Sequence, residues 1–585
     1  MKMRNILVVM LSAFFVFLGG CTKKQNANER VLNLISPAEI KGYDPIMADD
    51  LYSGREISKI YEGLLQYHWL KMPYELVPNL AEALPEISKD GITYTFKLRQ
   101  GVKFQDDAAF PGGKGREVEA ADFVYSIKRL ADAKTVSTGW WVLDGKLKGL
   151  NEWRDKYAKL PTTDYNEEVE GLKALDKYTL QFKLAKPFPQ FMYSLAMPFT
   201  YVVAKEVVEK YGKEFINHPV GTGPYILPKF DQGKMIVYTK NPTFREKFYP
   251  SEASDQYKDL LADAGKKLPL VEKVIVHVIK EPSPGWLKFN KGEVDVFGVP
   301  KDNFASTVKD NKLTPELLTK GISLTIAPQL DVTYTAFNFE NKLFHNKKLR
   351  QAMYAAYDEK KANELFYNNT AFAAQSIIPP GIAGNNSSYK NPFKGPNLEL
   401  AKKLLAEAGY PEGKGLPELK YDIPDSTVSR QMGEYFQKQM EQIGVKIKII
   451  TSPWPEFQAK VKKKSVEVYG LAWGADYPDA ENFLQLFYGP NKSPGANGSN
   501  YDDPKFNKDF EAAVVMQDSP ARTAKYEALN KYLAEEVVAL FGVHRQAYTL
   551  SQGWLKNYHS SDLHHDNVQY LNVDTDKKAE LLKKF

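Results

Sequence analysis

One carboxylate in this sequence is placed where a ligand group could be bound. Asp476 follows an apolar run, Val466 to Trp473, whose β-branched and aromatic residues predict a buried strand. A charge at the end of a buried strand needs a partner, either in the local backbone or in a ligand. At the crevice of an open α/β sheet such a group would contact the ligand.

A second acid, Asp479, competes for the local role. Asp479 precedes an apolar-periodic stretch with Phe483, Leu484 and Phe487, which predicts a short helix. Its position suits an N-cap that accepts a free helix N–H. Asp476 then either closes an Asx-turn in the connecting loop or contacts a ligand, and both readings stay open at this point.

Two other clusters could carry chemistry. Trp140 and Trp141 are adjacent, and two neighbouring aromatic side chains cannot both face one core, so at least one is a candidate cleft residue. His564, His565 and Asp566 form the only histidine cluster. Adjacent histidines on one loop seldom converge on a metal, so we expect an exposed loop there and no metal site.

The motifs of common enzymes are missing. The sequence has no Gly-x-Ser-x-Gly, no His-Glu-x-x-His, no Walker motif and no dinucleotide fingerprint, and the GGKG of residues 112–115 lacks the Lys-Ser/Thr ending of a phosphate loop. Binding is therefore a simpler function than catalysis, and we expect no cofactor. A paired-carboxylate hydrolase stays possible, because it needs no such motif.

Composition and charge narrow the class of protein. The chain has 585 residues, 43% hydrophobic and 26% charged, which is an ordinary globular composition with room for two to four packing units. Its net charge of +6 is spread along the chain, which argues against a nucleic-acid partner. Cys21 is the only cysteine, so the folded body has neither a disulfide nor a thiolate metal site.

The first 20 residues are predicted to be a signal peptide. Lys2 and Arg4 precede an apolar stretch, Ile6 to Leu18, that is short for a transmembrane helix. Leu18-Gly19-Gly20-Cys21 resembles the lipobox of bacterial lipoproteins, which implies cleavage before Cys21 and lipidation of its thiol. Polar residues 21–29 would be a tether, and the mature protein would be exported and membrane-anchored.

The spacing of apolar residues predicts an α/β protein. Strands are expected at Val31 to Ser36, 92–98, Met235 to Tyr238, 271–279, 333–337, 419–423, 445–450 and 539–549; helices are expected at Ile57 to Leu65, 120–130, 347–367, 398–408, 428–442, 454–463 and 520–538. Beyond Leu330 the two types alternate. Such alternation predicts a mostly parallel sheet covered by helices.

Taken in order, short segments of this chain resemble the family 5 extracellular solute-binding proteins of bacterial ABC importers, the oligopeptide- and dipeptide-binding group. The segments are Tyr61-Glu62-Gly63-Leu64-Leu65; Tyr94 to Arg99 with Gly101 to Phe104; Ala121 to Ser126; Gly221-Thr222-Gly223-Pro224-Tyr225; Arg350-Gln351-Ala352; Ala401 to Leu405 through Gly409-Tyr410; and Trp473-Gly474-Ala475-Asp476-Tyr477. They span nearly the whole mature chain.

The resemblance implies a two-lobed periplasmic-binding-protein-like fold with a hinge and an additional third domain. Lobe I would combine residues 30–65, 198–298 and 546–585; the extra domain would be 66–197 and lobe III 299–545. The long 105–118 loop and the Gly/Asn-rich 490–500 segment depart from the family pattern.

The same resemblance implies a non-enzymatic function and a binding site. A monomer would capture a peptide and deliver it to the permease subunits of an ABC transporter. Asp476 would pair with the peptide ammonium, Ala472 to Gly474 would bond its backbone, and Trp473 and Tyr477 would wall the first side-chain pocket. The chain would face the periplasm, or the outside of a Gram-positive cell membrane. A sugar, a metal chelate or a signalling peptide is the alternative solute, and an exported hydrolase or a structural envelope lipoprotein is the alternative class.

Overall fold

The computed structural model describes residues 29–585. The predicted signal peptide 1–20, the lipidation site Cys21 and all but the last residue of the 21–29 tether lie outside the described residues. No helix in the described range is both long enough and apolar enough to span a membrane.

A five-stranded sheet carries the stretch that precedes Asp476. Its strands, in spatial order, are Ile447–Ser452, Leu419–Pro424, Val468–Gly474, Asp331–Phe337 and Ala539–Phe541. The first three run parallel, as predicted, whereas Asp331–Phe337 runs antiparallel to both of its neighbours. The sheet is therefore mixed and not mostly parallel.

Both faces of this sheet are covered by other parts of the chain. Successive side chains of a strand point to opposite faces, and here both sets include apolar residues that must be buried. On one face Phe337 and Val468 pack in a core with Phe436, which lies on the helix Thr427–Glu441. On the other face Val332 and Tyr469 belong to the largest core of the molecule. Residues 468, 470, 472 and 474 thus share the first face, and 469, 471 and 473 share the second.

Among the described residues, three further sheets have three or more strands. One has Val31–Ser36, Lys273–Val278, Met235–Lys240 and Tyr225–Asp231; one has Glu86–Ile87, Thr93–Lys97, Thr179–Lys183 and Leu172–Asp176; and one has Val296–Gly298, Gln546–Ser551 and Ser323–Pro328. The last of these joins three strands from distant parts of the chain. The chain passes from one predicted lobe to the other at residues 298–299 and 545–546. The strands of this sheet lie next to these two boundaries.

The α-helices of seven or more residues are distributed along the whole described chain. They are Leu51–Ile57, Ala120–Ala131, Leu150–Ala158, Lys205–Tyr211, Pro282–Asn290, Lys347–Ala356, Glu359–Tyr367, Leu398–Glu407, Thr427–Glu441, Trp454–Lys462, Pro504–Val514, Pro520–Glu536 and Thr575–Leu581. Asn397 caps Leu398–Glu407 by accepting the N–H of Leu400, as its position in the sequence predicts.

Three predicted elements differ from the structure. The helix expected at Ile57 to Leu65 is wrong in position. The observed helix is Leu51–Ile57, and Leu65 begins a strand. The helix expected over 347–367 is two helices, since Asp358 leaves the helical conformation and caps the second one through the N–H of Lys361. The strand expected over 539–549 is three short strands.

Candidate functional site

A cleft with a cavity of about 550 Å³ lies along the end of the strand Val468–Gly474, which we call the central strand. Its walls include residues 470–476 on one side and residues 48–52, 562, 563 and 565 on the other. Among the candidate ligand residues, Trp473, Ala472, Gly474 and Asp476 all line it.

The central strand has one free edge inside this cleft. It pairs with Asp331–Phe337 along its whole length, from Val468 to Gly474. Its pairing with Leu419–Pro424 is limited to Val468 and Tyr469. Beyond that point Leu419–Pro424 stays with its outer neighbour, so residues 470–474 have no strand on one side. Their outward N–H and C=O groups are available to an extended ligand.

Gly470 stands where the two strands separate. A Cβ atom at this residue would lie 2.7 Å from the hydroxyl of Tyr421, closer than real Cβ contacts allow. That hydroxyl also lies 3.3 Å from Thr335 Oγ1, on the strand that pairs with Gly470. Glycine therefore lets Tyr421 approach the sheet at the start of the free edge.

Asn482 holds the end of the central strand in shape. It is fully buried, and its Nδ2 donates to Asp476 Oδ2 over 2.8 Å. Its Oδ1 accepts the backbone N–H of Asp476 at 2.9 Å and the indole N–H of Trp473 at 3.1 Å. Sequence reasoning missed this residue. The available signal was a polar amide directly before the apolar Phe483 and Leu484, six residues after the candidate acid.

Asp476 lacks a cationic partner among the described residues. No Lys, Arg or His nitrogen of residues 29–585 forms an ion pair with it within 4.0 Å. The pKa of Asp476 is raised to about 7: burial is the largest cause, the hydrogen bond from Asn482 opposes it, and the neighbouring acids Glu481 and Asp49 add to it. The site thus holds a carboxylate whose charge is poorly stabilised by the protein itself.

Several other cleft charges are already paired. Arg545 donates to Asp331, and Lys280 lies 2.8 Å from Glu39. Asp49 contacts Lys41 and lies 3.7 Å from Lys462. Asp476 therefore differs from these carboxylates in lacking a cationic partner. Asp50 and Asp562 also line the cleft without an ion pair among residues 29–585, but Asp50 accepts the N–H groups of Tyr52 and Ser53, and Asp562 accepts that of Leu330.

Asp479 has a structural role near that predicted for it, although the N-cap of the helix is Ala480 and Asp479 lies one residue before it. Its Oδ1 accepts the N–H of Glu481 at 2.9 Å, at the start of the helix Glu481–Leu484, and its Oδ2 lies 2.6 Å from Arg522. The acid that satisfies the helix and the acid that faces the cleft are thus two different residues. Asp476 is therefore not needed to accept an N–H of this helix, although its own backbone N–H donates to Asn482.

Against expectation, Tyr477 does not wall the cleft. Only 1% of its surface is exposed, and it stacks on Tyr193 at 5.7 Å between ring centroids. Its hydroxyl donates to Glu481. The alternation of side chains past the end of the strand turns this ring into the core behind Asp476, where sequence reasoning assigned it to the ligand side.

Trp140 and Trp141 also lie away from the cleft lining. Trp141 is buried and packs edge-on against Phe199, with 6.2 Å between ring centroids, and Phe199 itself lines the cleft. Trp140 lies under the guanidinium of Arg154 at 4.8 Å. The two rings do face different surroundings, as predicted, but neither surrounding is the ligand cavity.

His564 is buried and His565 and Asp566 are half-buried, which corrects the expectation of an exposed loop. His564 is 3% exposed and packs against Trp69, and its pKa is lowered by burial to about 3. His565 lines the cleft, with a pKa lowered to about 4 by burial. Both rings are therefore neutral at neutral pH. Within residues 29–585, no group of three or more His, Cys, Asp or Glu side chains is placed to hold a metal ion.

The model of the family described as "Bacterial extracellular solute-binding proteins, family 5 Middle" matches residues 75–495. The chain is 27% identical to the dipeptide-binding protein of Escherichia coli strain K12, over 84% of this chain and 86% of that protein. It is 24% identical to heme-binding protein A of Haemophilus influenzae, over 94% and 93% of the two chains.

Solved structures confirm the predicted fold class. The structure of the ABC transporter-associated periplasmic binding protein DppA from Helicobacter pylori in complex with peptide STSA superposes with a TM-score of 0.76 at 23% identity. The superposition covers 93% of this chain and 98% of that one. The fold is therefore α/β and two-lobed, of the periplasmic-binding-protein kind.

The unliganded protein should be stabilised by the substitution Asp476→Asn at alkaline pH. The folded-state pKa of Asp476 is raised to about 7. For this group the contribution to stability is full below the unfolded pKa of about 4 and is lost as pH rises through 7. We expect Asp476→Asn to raise the free energy of unfolding by about 1 to 4 kcal/mol at pH 8 and by little at pH 4.

Urea unfolding of ligand-free protein at both pH values measures this difference. The matched control is Asp425→Asn, which removes one exposed carboxylate from the same cleft and should change stability little at either pH. Equal stability of Asp476→Asn and the unmodified protein at pH 8 would contradict the raised pKa.

Proposed function

Because the chain belongs to family 5 of the bacterial extracellular solute-binding proteins, we propose that it captures peptides in the cleft and delivers them to the permease of an ABC importer. The observation that carries this proposal is the pairing of a free strand edge with a carboxylate at its end. Residues 470–474 offer backbone groups, and Asp476, which lacks a cationic partner, lies directly beyond them.

A peptide would supply both a strand partner for the free edge and a cation for Asp476. Its extended backbone can continue the sheet along Ala472 to Gly474, and its terminal ammonium can reach Asp476. Trp473, whose indole is fixed by Asn482, would wall the cavity for the first side chain. Backbone pairing gives affinity for any sequence, so the site would accept many peptides with one orientation.

Similar proteins support a peptide and also show that the family carries other solutes. The Escherichia coli relative is named a dipeptide-binding protein, and the Helicobacter pylori neighbour was solved with a peptide. The Haemophilus influenzae relative is named for heme. For this chain we favour the peptide, because a carboxylate without a cationic partner suits an amine better than it suits heme, which itself bears carboxylates.

We further propose that residues 30–65, 198–298 and 546–585 form one lobe, 299–545 the second lobe and 66–197 an extra domain. The described conformation would then be closed, because contacts join the lobes across the cleft. Lys462 lies 3.7 Å from Asp49, and the N–H of Thr427 donates to Glu281 over 3.2 Å. Opening at the sheet of residues 296–298, 323–328 and 546–551 would break these contacts and admit the ligand.

The ammonium of the peptide would need the negative charge of Asp476 for tight binding. Asp476→Asn should weaken binding of tetraalanine by about 2 to 5 kcal/mol, because the buried ammonium loses its counter-charge. Isothermal titration calorimetry at pH 7.5 measures the change. The control Asp425→Asn, with the same loss of charge at the cleft mouth, should change affinity by less than about 0.5 kcal/mol.

N-acetyl-tetraalanine tests whether the ammonium itself is the partner. The acetylated peptide lacks the charge, so Asp476→Asn should bind it no worse than the unmodified protein does. Unchanged affinity for free tetraalanine in Asp476→Asn would remove Asp476 from the proposed site.

The pH dependence of affinity follows from the same carboxylate. The pKa of Asp476 is raised to about 7 in the ligand-free cleft, and only its ionised form pairs with an ammonium. Below pH 7 the affinity for tetraalanine should fall, approaching tenfold per pH unit, and above about pH 8 it should fall again as the peptide amine loses its proton. Titrations from pH 5.5 to 9 should lose the acidic limb in Asp476→Asn, and a flat profile in the unmodified protein would contradict the mechanism.

The anchor is proposed from the sequence alone. Leu18-Gly19-Gly20-Cys21 would be processed to a lipidated Cys21, which would hold the protein at the membrane on the periplasmic side or on the outer face of a Gram-positive cell. In cells expressing Cys21→Ser, the protein should move from the detergent-dependent membrane fraction to the soluble fraction or persist as the unprocessed precursor. Metabolic labelling with a radioactive fatty acid should mark the unmodified protein only, and equal labelling of Cys21→Ser would exclude this anchor.

A further inference from the structure

The two faces of the central strand open onto unlike surroundings. Gly470 and Ala472 share one face, since they pair with Thr335 and Thr333 across the ladder. Leu471 and Trp473 share the other face. A ligand strand along the free edge has the same alternation, because residues opposite each other in a sheet place their side chains on the same side. Successive ligand side chains would therefore enter two different cavities.

The cavity on the Ala472 face is aromatic, and we call it the tyrosine pocket. It is lined by Tyr357, Tyr367, Tyr421, Ile423, Met432 and Phe436. Phe436 connects two of the tyrosines, with ring centroids 4.8 Å from Tyr421 and 5.9 Å from Tyr357. None of the six side chains carries a charge at neutral pH.

Small residues on the strands make room for this pocket. Gly470 has no side chain, which lets the Tyr421 hydroxyl lie over it, and Ala472 has only a methyl group, so the strand itself places little bulk over this face. The hydroxyl of Tyr421 lies within 3.3 Å of Thr335 Oγ1, which leaves one polar contact of the pocket satisfied from within the protein. A charged ligand side chain placed here would lose water without gaining a counter-ion from these six residues.

The opposite face combines aromatic rings with carboxylates. Near Leu471 and Trp473 the cleft includes Trp454, which meets Tyr52 edge-on at 6.0 Å between ring centroids, and Asp49, the carboxylate that faces Lys462. Asp50 also lines this part of the molecule, and its Oδ2 is buried without a hydrogen-bond partner. An apolar ring on this side would meet the carboxylates of Asp49 and Asp50 as well as aromatic rings, whereas the six residues of the tyrosine pocket are uncharged.

From this asymmetry we propose that the tyrosine pocket seats an aromatic side chain of the bound peptide. The inference rests on the proposed peptide-binding function and narrows it to a substrate class. Peptides with Phe, Tyr or Trp at a position that shares the Ala472 face bind more tightly than peptides with Ala there. Offset and edge-to-face contacts with Tyr357, Tyr421 and Phe436 supply the gain in affinity.

Five synthetic peptides test the proposal by calorimetry: tetraalanine and the four tetrapeptides in which one Ala is replaced by Phe. The quantity compared is the ratio of the Kd of tetraalanine to the Kd of each Phe peptide. We expect a ratio of about ten or more at one position, or at two positions separated by one residue, and a ratio near one at the positions adjacent to them.

Two variants locate the gain. Tyr357→Leu should reduce the largest ratio to below about three, because it removes one aromatic wall of the pocket. The matched control Trp454→Leu, which removes an aromatic ring from the opposite face of the same cleft, should leave that ratio unchanged. If Tyr357→Leu binds no peptide, Tyr367→Leu supplies the same comparison from another wall of the pocket.

The outcomes distinguish a failure of this inference from a failure of the proposed peptide-binding function. Tight binding of tetraalanine with ratios near one at all four positions would overturn the aromatic preference and leave the peptide-binding function intact. A large ratio that survives in both Tyr357→Leu and Tyr367→Leu would place the aromatic seat elsewhere and would also overturn the inference. Failure of the unmodified protein to bind any of the five peptides would overturn the proposed function and this inference with it.

Discussion

The arrangement of the cleft depends on the incomplete hydrogen bonding of one strand. The central strand is paired on one side from Val468 to Gly474 but on the other side only at Val468 and Tyr469. A strand edge inside a protein must find partners in water or in a bound molecule. The free edge of residues 470–474 is therefore a local deficit in the fold, and it fixes both where an extended ligand can bind and how that ligand's side chains alternate.

The carboxylate beyond this edge is a second local deficit. Burial raises the pKa of Asp476 to about 7, whereas Asp479, three residues later, is held by Arg522 and by a helix N–H. A protein optimised only for stability would replace such a group by a neutral one. The carboxylate is nonetheless held in a fixed orientation. The buried amide of Asn482 forms hydrogen bonds with the Asp476 carboxylate, with the backbone N–H of Asp476 and with the indole of Trp473.

Local sequence patterns predict the elements better than they predict their neighbours. The strand Val31–Ser36 and the helix Leu398–Glu407 follow from alternation and from a capping Asn397, which are properties of a few consecutive residues. The antiparallel direction of Asp331–Phe337 does not, because it depends on contacts between residues more than a hundred positions apart. The same limit explains the site: Trp473 and Asp476 lie at the end of one strand, but the burial of Tyr477 against Tyr193 and of His564 against Trp69 is decided by distant segments.

A free edge and a single carboxylate would make no distinction among peptides, so any selectivity has to come from the two faces of the strand. With the ligand ammonium fixed at Asp476, the odd and even side chains of the ligand would enter different cavities and could not exchange them without shifting the register. The tyrosine pocket exists because residue 470 is glycine, since a Cβ there would lie 2.7 Å from the hydroxyl of Tyr421 and force that ring to move. Leu471 and Trp473 occupy the corresponding space on the other face. The size of alternate residues on one short strand can therefore set the preference for alternate residues of the peptide, while the backbone contacts that provide affinity stay the same.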